Sequence, residues 1–361
     1  MKILYVTTIG ITMGFFPALI QRLIDNGHRV DLACNDRESP VSPNFREMGC
    51  KVYTLSCTRS PFSTGNIAAV KELRALVIKE RYDIVHCHTP IAAACTRLAC
   101  RGLGCKVIYT AHGFHFYKGA PLKNWLLFYP VEKLCAPMTD LLITINREDY
   151  ALAQKKLKAK QVLYVPGVGV DLEAFTPGDG SVLRQQLEIP LENKVLLSVG
   201  ELSRRKNHEI LIRAAAELPN TTVVIAGAGP LEAQLKDLAA ELSCDVRLLG
   251  YRRDIAELCR MCDVFVLPSI HEGLPVSLME AMACGKPVCC SHIRGSVDLV
   301  DTQGGVTFDP NSVADCHRAL EATLAGDSGA MGRRNRETVQ AFSTPAVIGQ
   351  MLPLYETKKE C

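Results

Sequence analysis

The 361-residue sequence lacks the features that indicate an exported or membrane-embedded protein. No apolar run approaches the roughly 20 residues that a helix needs to span a bilayer. The N-terminus, MKILYVTTIG, has one lysine followed by a strand-like run and no small-residue cleavage site, so we expect no signal peptide. These absences predict a protein that stays in the cytoplasm.

The sequence also lacks a recognisable metal site. Its only Cys-x-x-Cys pair, Cys259 and Cys262, lies on a predicted helix, and no second pair follows at ligand spacing. Sixteen cysteines in a chain without an export signal are typical of reduced, mostly buried thiols. We therefore expect no bound metal and no cofactor.

The net charge of +3 conceals an asymmetry between the two halves of the chain. Residues 1–175 carry 22 Lys/Arg against 14 Asp/Glu, whereas residues 176–361 carry 19 against 24. A basic first half (+8) and an acidic second half (−5) suggest that one half faces an anionic surface or ligand. Simple solvation of the charges is an equal alternative.

Apolar strand-like runs alternate with helical patterns, which predicts an α/β protein with parallel sheets covered on both faces. The alternation runs from Lys2 to Val165, with a more irregular piece at 112–136, and restarts at Val195. Between them, 176–193 is the best linker candidate because it contains PGDG and a further proline. We predict domains at 1–175 and 176–344, followed by a C-terminal helix over 345–361. The cleft between two such lobes is a natural site.

The strongest candidates for functional residues lie in SIHEGLPVSLMEAMACGKPVCCS (269–291), which follows a predicted buried strand. Pro275 is expected at the start of a helix and Gly285 after its end. Glu272 then lies at the carboxyl end of a strand, and Glu280 two turns up the helix on nearly the same face. Loop N–H groups and the helix N-terminus favour an anion between them. This pattern suits a nucleotide sugar, although two glutamates could also merely cap and solvate one helix.

The spacing E-x7-E followed by AMACGKP resembles the donor site of glycosyltransferase family 4, the retaining enzymes of GT-B fold. The resemblance implies two Rossmann-like parallel-sheet lobes facing across a cleft, the first binding the acceptor and the second the donor. It also implies that the C-terminal helix crosses back to the first lobe. EGLPVSLMEAMACGKPV and AHGFHFYKG are most similar to bacterial enzymes of capsule, exopolysaccharide and lipid-linked oligosaccharide assembly.

The resemblance also implies roles for individual residues. Glu272 and His112 would be the catalytic pair beside the donor sugar, while His86 and His88 are interpreted as structural and His115 as a weaker candidate. Lys206 would bind the diphosphate and Glu280 the ribose hydroxyls. The donor-binding set comprises Gly10, Glu201, Arg205, Lys206, Arg252, Gly273, Leu274, Pro275, Val276 and Glu280.

Two of these positions carry alternatives. The family has an arginine directly after the strand's glycine, where this chain has Glu201, so Arg204 or Arg205 is expected to substitute. Cations at a helix N-terminus oppose its dipole, which favours an anion among them over a merely solvated basic turn. Arg252 would contact the nucleotide base, and Asp254 could cap the next helix.

No Asp-x-Asp triplet occurs in the chain, so the resemblance implies a metal-independent reaction in which cations and helix N-termini meet the diphosphate charge. We expect a retaining hexosyl- or N-acetylhexosaminyltransferase that uses a UDP-sugar and a lipid-diphosphate-linked or glycan acceptor, without nucleic acid. One alternative is a sugar-nucleotide epimerase, for which the first lobe offers no acid/base carboxylate set. The other is a non-catalytic nucleotide-sugar-binding protein, which Glu201 makes conceivable.

The segment KGAPLKNWLLFYP (118–130) combines two lysines with the only tryptophan of the chain. It could contact a membrane interface or a lipid-linked acceptor, placing the protein peripherally at the inner face of the cell membrane. The alternative is a buried helix with a solvated basic end.

Overall fold

The computed structural model describes residues 1–356, which form two compact α/β units. Among the described residues, unit 1 comprises Met1–Val168 together with residues 347–356, and unit 2 comprises Gly169–Ala346. Each unit contains one parallel sheet whose strands alternate with helices along the chain. The two Rossmann-like parallel-sheet lobes predicted from the alternating pattern are therefore confirmed.

Unit 1 has a seven-stranded sheet of order β3-β2-β1-β4-β5-β6-β7. Its strands are β1 (Lys2–Ile9), β2 (Arg29–Asn35), β3 (Val52–Thr54), β4 (Ile84–His88), β5 (Lys106–Ala111), β6 (Leu141–Thr144) and β7 (Gln161–Tyr164). Its helices before the unit boundary are α1 (Pro17–Asp25), α2 (Asn44–Glu47), α3 (Gly65–Glu80), α4 (Pro90–Ala99), α5 (Leu122–Cys135) and α6 (Arg147–Lys156), with 3-10 turns at Gly10–Phe15 and Ala136–Met138. The central strands are buried along most of their length because apolar clusters cover both faces of the sheet.

Unit 2 has a six-stranded sheet of order β10-β9-β8-β11-β12-β13. Its strands are β8 (Lys194–Val199), β9 (Thr221–Ala226), β10 (Asp245–Leu248), β11 (Val264–Leu267), β12 (Val288–Ser291) and β13 (Gly305–Phe308). Its helices are α7 (Ser181–Gln186), α8 (His208–Ala215), α9 (Glu232–Glu241), α10 (Ile255–Met261), α11 (Val276–Ala283), α12 (Val313–Ala325) and α13 (Ser328–Thr338), with a 3-10 turn at Val339–Phe342.

The strand order reverses direction once in each sheet, between β1 and β4 in unit 1 and between β8 and β11 in unit 2. At such a switch point the two following connections leave on opposite faces of the sheet, which opens a crevice at the carboxyl ends of the strands. Each unit therefore has one preferred place for a ligand.

The C-terminal segment forms two short helices, α14 (Thr344–Met351) and α15 (Pro353–Glu356), where the sequence predicts one. Proline lacks the N–H that a continuous helix needs, so the break falls at Pro353. Tyr355 is fully buried in unit 1 and its hydroxyl lies 2.6 Å from His86 Nδ1. The rest of the predicted C-terminal segment, residues 357–361, lies outside the described residues.

The predicted linker 176–193 belongs to unit 2, because the units divide between Val168 and Gly169. Its PGDG stretch packs against α10: a Cβ on Gly180 would collide with the backbone of Met261. The proline and glycines therefore serve close packing, and α7 follows them directly. The piece at 112–136 is also more regular than predicted, since its second half is α5.

The cysteine interpretation is confirmed for the described part of the chain. All fifteen cysteines between Cys34 and Cys316 are free thiols, and all but Cys244 are buried. Burial raises the pKa of most of them, for example that of Cys50 to about 11. Over residues 1–356 no helix is long and apolar enough to cross a membrane.

Candidate functional site

The crevice of unit 2 lies where β8 and β11 run side by side. The loop after β8 carries Arg205 and Lys206, and the loop after β11 carries Glu272. The two loops are joined by a backbone hydrogen bond from Ile270 N–H to the Arg205 carbonyl at 2.9 Å. Residues that are 66 or 67 positions apart thus meet at one edge of the sheet.

Two cations converge on one oxygen of Glu272 in this crevice. Lys206 Nζ donates to Glu272 Oε1 at 2.7 Å, and Arg205 donates to the same oxygen at 3.1 Å. Burial acts to raise the pKa of Glu272, but the charges of Lys206 and then Arg205 outweigh it and hold the pKa below its ordinary value. Glu272 is therefore an ionised carboxylate although it is only 8% exposed.

The structure distinguishes the neighbouring charged residues of the same loop. Arg204 and Glu201 are both exposed, and in residues 1–356 neither side chain has a hydrogen-bond or ion-pair partner. Of the two arginines proposed to substitute at the Glu201 position, Arg205 is the one that reaches Glu272.

The loop that carries Glu272 is supported by the segment after β12. Arg294 is buried, and its NH2 group lies 2.5 Å from His271 Nε2. A Cβ on Gly295, which has φ +79°, would collide with the Gly273 carbonyl. Sequence reasoning missed both residues, although the pair Arg-Gly just beyond the carboxyl end of a strand was a usable signal.

Helix α11 begins at Val276, so Pro275 is its N-cap residue and Glu272 precedes the helix. Glu272 thus lies in the loop after β11 and Glu280 on the helix, as predicted, with the helix beginning one residue after Pro275. Leu274 and Pro275 are buried and fix the entry of the chain into α11. The first N–H groups of α11 have no acceptor within the helix, which leaves them free for an anion.

Glu280 lies half-buried on the second turn of α11. No side chain or backbone group among the described residues donates a hydrogen bond to its carboxylate. Burial raises the pKa of Glu280 to about 7. This carboxyl group can therefore gain or lose its proton close to neutral pH and has free capacity for a ligand's hydroxyls.

Arg252 lies apart from this cluster, after edge strand β10. Its guanidinium binds both oxygens of Asp254, at 2.8 and 2.5 Å. Asp254 occupies the N-cap position of α10, as the alternative expected, but its side chain makes no capping hydrogen bond. The carboxylate is held by Arg252 instead.

In unit 1 the corresponding crevice lies between β1 and β4. Gly10 follows β1 and donates its N–H to the Ser39 carbonyl at 2.9 Å. A Cβ on Gly10 would collide with the backbone at Ser39, so only glycine fits this approach. His112 directly follows β5, and its Nε2 lies 3.0 Å from His88 Nδ1. Burial lowers the pKa of His112 to about 4, so the ring is neutral at physiological pH.

Comparison with known proteins identifies the family. The model of Glycosyltransferase Family 4 matches residues 18–174, and that of glycosyl transferases group 1 matches residues 181–338. A protein of Bacillus subtilis (strain 168) named "Putative glycosyltransferase EpsD" is 36% identical over 319 residues, 84% of each chain. The chain belongs to glycosyltransferase family 4. It is thus a glycosyltransferase, and the resemblance stated from its motifs is confirmed.

A second relative of this family 4 glycosyltransferase is the Escherichia coli UDP-Gal:alpha-D-GlcNAc-diphosphoundecaprenol alpha-1,3-galactosyltransferase. It is 33% identical over 277 residues, 71% of each chain. Among solved structures, Anabaena Alr3699/HepE in complex with UDP matches with a TM-score of 0.82 at 22% identity, covering 99% of this chain and 100% of that one. This match establishes the GT-B fold, and the predicted fold class is confirmed.

Proposed function

We propose that this glycosyltransferase transfers a hexosyl or N-acetylhexosaminyl group from a UDP-sugar to a lipid-diphosphate-linked or glycan acceptor in bacterial surface polysaccharide assembly. The observation that carries the proposal is the convergence of Arg205 and Lys206 on Glu272 beside the N-terminus of α11. Support for the donor comes from the UDP complex of HepE, and support for the acceptor from the diphosphoundecaprenol named for the Escherichia coli relative.

In the proposed donor site the diphosphate competes with Glu272 for the two cations. Lys206 and Arg205, with the free N–H groups of α11, meet the negative charge of the departing nucleotide diphosphate without a metal ion. Glu272, already ionised, then accepts hydrogen bonds from the sugar hydroxyls. Glu280, whose carboxylate has no protein partner among the described residues, accepts those of the ribose.

We further propose that the reaction retains the anomeric configuration. The acceptor hydroxyl attacks from the face that the diphosphate leaves, and its proton passes to a phosphate oxygen of the leaving group. Neutral His112 would lie beside the donor sugar, and we propose that Gly10 and Arg252 complete the donor site, Arg252 after release from Asp254.

The two alternative functions are a sugar-nucleotide epimerase and a non-catalytic nucleotide-sugar-binding protein. An epimerase would need free acid/base carboxylates in unit 1, but the three buried ones among the described residues are occupied: Asp31 by Tyr82, Glu132 by Arg97, and Asp149 by the Phe114 N–H and the Asn146 amide. A non-catalytic binding protein would keep the donor site and lack turnover. Only an activity measurement separates that alternative from the transferase.

The test is UDP release from a panel of UDP-sugars in EDTA, with and without polyprenyl-diphosphate-linked glycan acceptors. We expect acceptor-dependent release that Glu272→Gln abolishes and that Glu241→Gln, an exposed glutamate at the end of α9, leaves unchanged. UDP binding without release on any acceptor would favour the binding protein. Absence of UDP binding would refute the donor site, and loss of release in EDTA would refute metal independence.

We also propose that unit 1 contacts an anionic membrane through α5. Leu122, Leu126, Pro130 and Leu134 follow each other at helical spacing and are all exposed; we call them the α5 stripe. Exposed Lys123 and Lys133 flank the stripe. An exposed apolar stripe with basic borders on the basic half of the chain suits anionic lipid headgroups.

The opposite face of α5 is anchored in the core, which leaves the stripe free to meet lipid. Glu132 and Cys135 are buried, and Glu132 pairs with buried Arg97 at 2.7 Å. The alternative of a buried helix with a solvated basic end is therefore not favoured.

Flotation with phosphatidylglycerol vesicles tests the membrane proposal. We expect the wild-type protein to float with these vesicles but not with neutral phosphatidylcholine. Leu126→Glu should reduce binding about tenfold or more, because burying a leucine is worth about 1.5–3 kcal/mol. Ile78→Glu, an equally drastic change at an exposed apolar position on α3, should not. Equal loss in both variants would contradict a role for the α5 stripe.

A further inference from the structure

The crevice of unit 1 also holds a second histidine, the buried His88, next to His112. His88, the last residue of β4, pairs in register with Thr110 of β5, two residues before His112. Its ring is stacked on Phe16 at 4.2 Å and on Tyr5 at 5.5 Å between ring centroids. His88 is only 2% exposed, so the two stacked rings fix the plane of its imidazole.

The two nitrogens of His88 have unequal environments. Nδ1 lies 3.0 Å from His112 Nε2, whereas buried Nε2 has no hydrogen-bond partner among residues 1–356. Nearby His86 differs, because its Nδ1 meets the Tyr355 hydroxyl at 2.6 Å and its Nε2 meets Thr110 Oγ1 at 2.8 Å. His86 is thus satisfied on both sides, and His88 only towards His112.

Both rings of the His88–His112 pair are neutral, because burial lowers both pKa values. A single N–H can therefore lie between them, and two tautomeric arrangements are available. If His112 donated, His88 would carry its proton on Nε2 as a buried N–H without an acceptor. If His88 donates, Nε2 is only an unused lone pair, and buried donors without a partner are the rarer and costlier case.

We propose that His88 is a positioning residue whose Nδ1–H donates to His112 Nε2 and so leaves His112 with its own N–H on Nδ1. His112 then presents a hydrogen-bond donor, and neither of its nitrogens has a lone pair free to take a proton. The role of this donor towards the sugar rests on the proposed function, in which His112 lies beside the donor sugar and the acceptor proton passes to a phosphate oxygen. The tautomer itself does not depend on that function.

Long-range ¹H–¹⁵N correlation spectra of ¹⁵N-histidine-labelled protein report which ring nitrogen carries the proton. His112 is assigned by the signals that His112→Asn removes. We expect Nδ1 to be protonated in the wild type and in His88→Asn, whose side-chain amide can donate from the Nδ1 position. In His88→Leu the Nε2–H form should appear, since free histidine favours that tautomer.

Tyr355→Phe is the matched control, because it removes a buried hydrogen bond from His86 but leaves the His88–His112 bond in place. It should lower stability without changing the His112 tautomer. An Nε2–H on His112 in the wild type, or an unchanged tautomer in His88→Leu, would overturn the proposal.

Activity provides the second readout. With a working donor and acceptor, His88→Leu should lower kcat about fivefold, the value of one neutral hydrogen bond, and His88→Asn should restore most of it. An equal loss of kcat in His88→Leu and His88→Asn would mean that His88 has only a structural role. If no acceptor supports turnover, the proposed function fails alone, because the spectra still decide the tautomer.

Discussion

Replacing Lys206 by methionine tests whether the pair at the crevice of unit 2 is a true buried ion pair. Lys206 and Glu272 have only 12% and 10% of their side chains exposed, at an N···O distance of 2.7 Å. Removing one partner of a buried pair costs about 3–5 kcal/mol, since the other charge stays buried. Arg205, with 44% of its side chain exposed, still contacts Glu272 and offsets part of this cost. We therefore expect Lys206→Met to lower the free energy of unfolding by about 2–3 kcal/mol.

The assay is differential scanning calorimetry, because the two units need not unfold in one transition. For a unit of this size, a loss of 2–3 kcal/mol lowers Tm by about 4–12 °C. The surface pair of Lys236 with Glu232 on α9 is the control, since its N···O distance is also 2.7 Å but its side chains are 60% and 45% exposed. Lys236→Met should cost about 0.5 kcal/mol or less.

The pH dependence follows from the sign of the pKa shift. The pKa of Glu272 is lowered in the folded protein, so its contribution is present above the unfolded-state pKa and is lost as pH falls through the folded value. Without Lys206, burial is less opposed and the pKa of Glu272 rises. The stability lost in Lys206→Met relative to the wild type should therefore be largest at neutral pH and smaller at acidic pH.

A second substitution completes a double-mutant cycle for the Lys206–Glu272 pair. In Lys206→Met/Glu272→Gln no charge remains buried, so at least half of the lost stability should return. The reasoning is refuted if Lys206→Met is as mild as Lys236→Met, or if the double variant is no more stable than the single one.

Three further predictions concern separate parts of the molecule. Because the pKa of Glu280 is raised to about 7, its burial costs stability as pH rises from the ordinary carboxyl range towards 7. Glu280→Gln should therefore stabilise the protein at pH 8 and not at pH 4 in calorimetric scans. An equal change in stability at both pH values would contradict this. Arg97→Met should destabilise unit 1 by about 3–5 kcal/mol in urea unfolding by stranding Glu132, and Arg97→Met/Glu132→Leu should regain most of it. Gly295→Ala should weaken UDP binding in titration calorimetry, because the added Cβ displaces the loop after β11. Gly104→Ala, whose Cβ meets nothing within 4 Å, should not weaken it. Similar UDP affinities of the two variants would exclude a role of Gly295 in UDP binding.

The motifs of the proposed donor site were readable in the sequence because their geometry is local. A buried strand, a loop and a short helix place Glu272, Gly273 and Glu280 within a few residues of each other. The alternation of strands and helices, together with the right-handed connections between parallel strands, also determined two Rossmann-like units. The helix boundary was misplaced, since Pro275 could occupy either the N-cap or the first helical position.

The partners of these residues were decided only by the tertiary structure. The strand order makes β8 and β11 neighbours, so Arg205 and Lys206 meet Glu272 across a separation that no periodicity encodes. The pairing of β4 with β5 likewise brings His88 to His112. Burial then set the protonation of Glu280 and His112, because the desolvation that shifts a pKa depends on everything packed around the group.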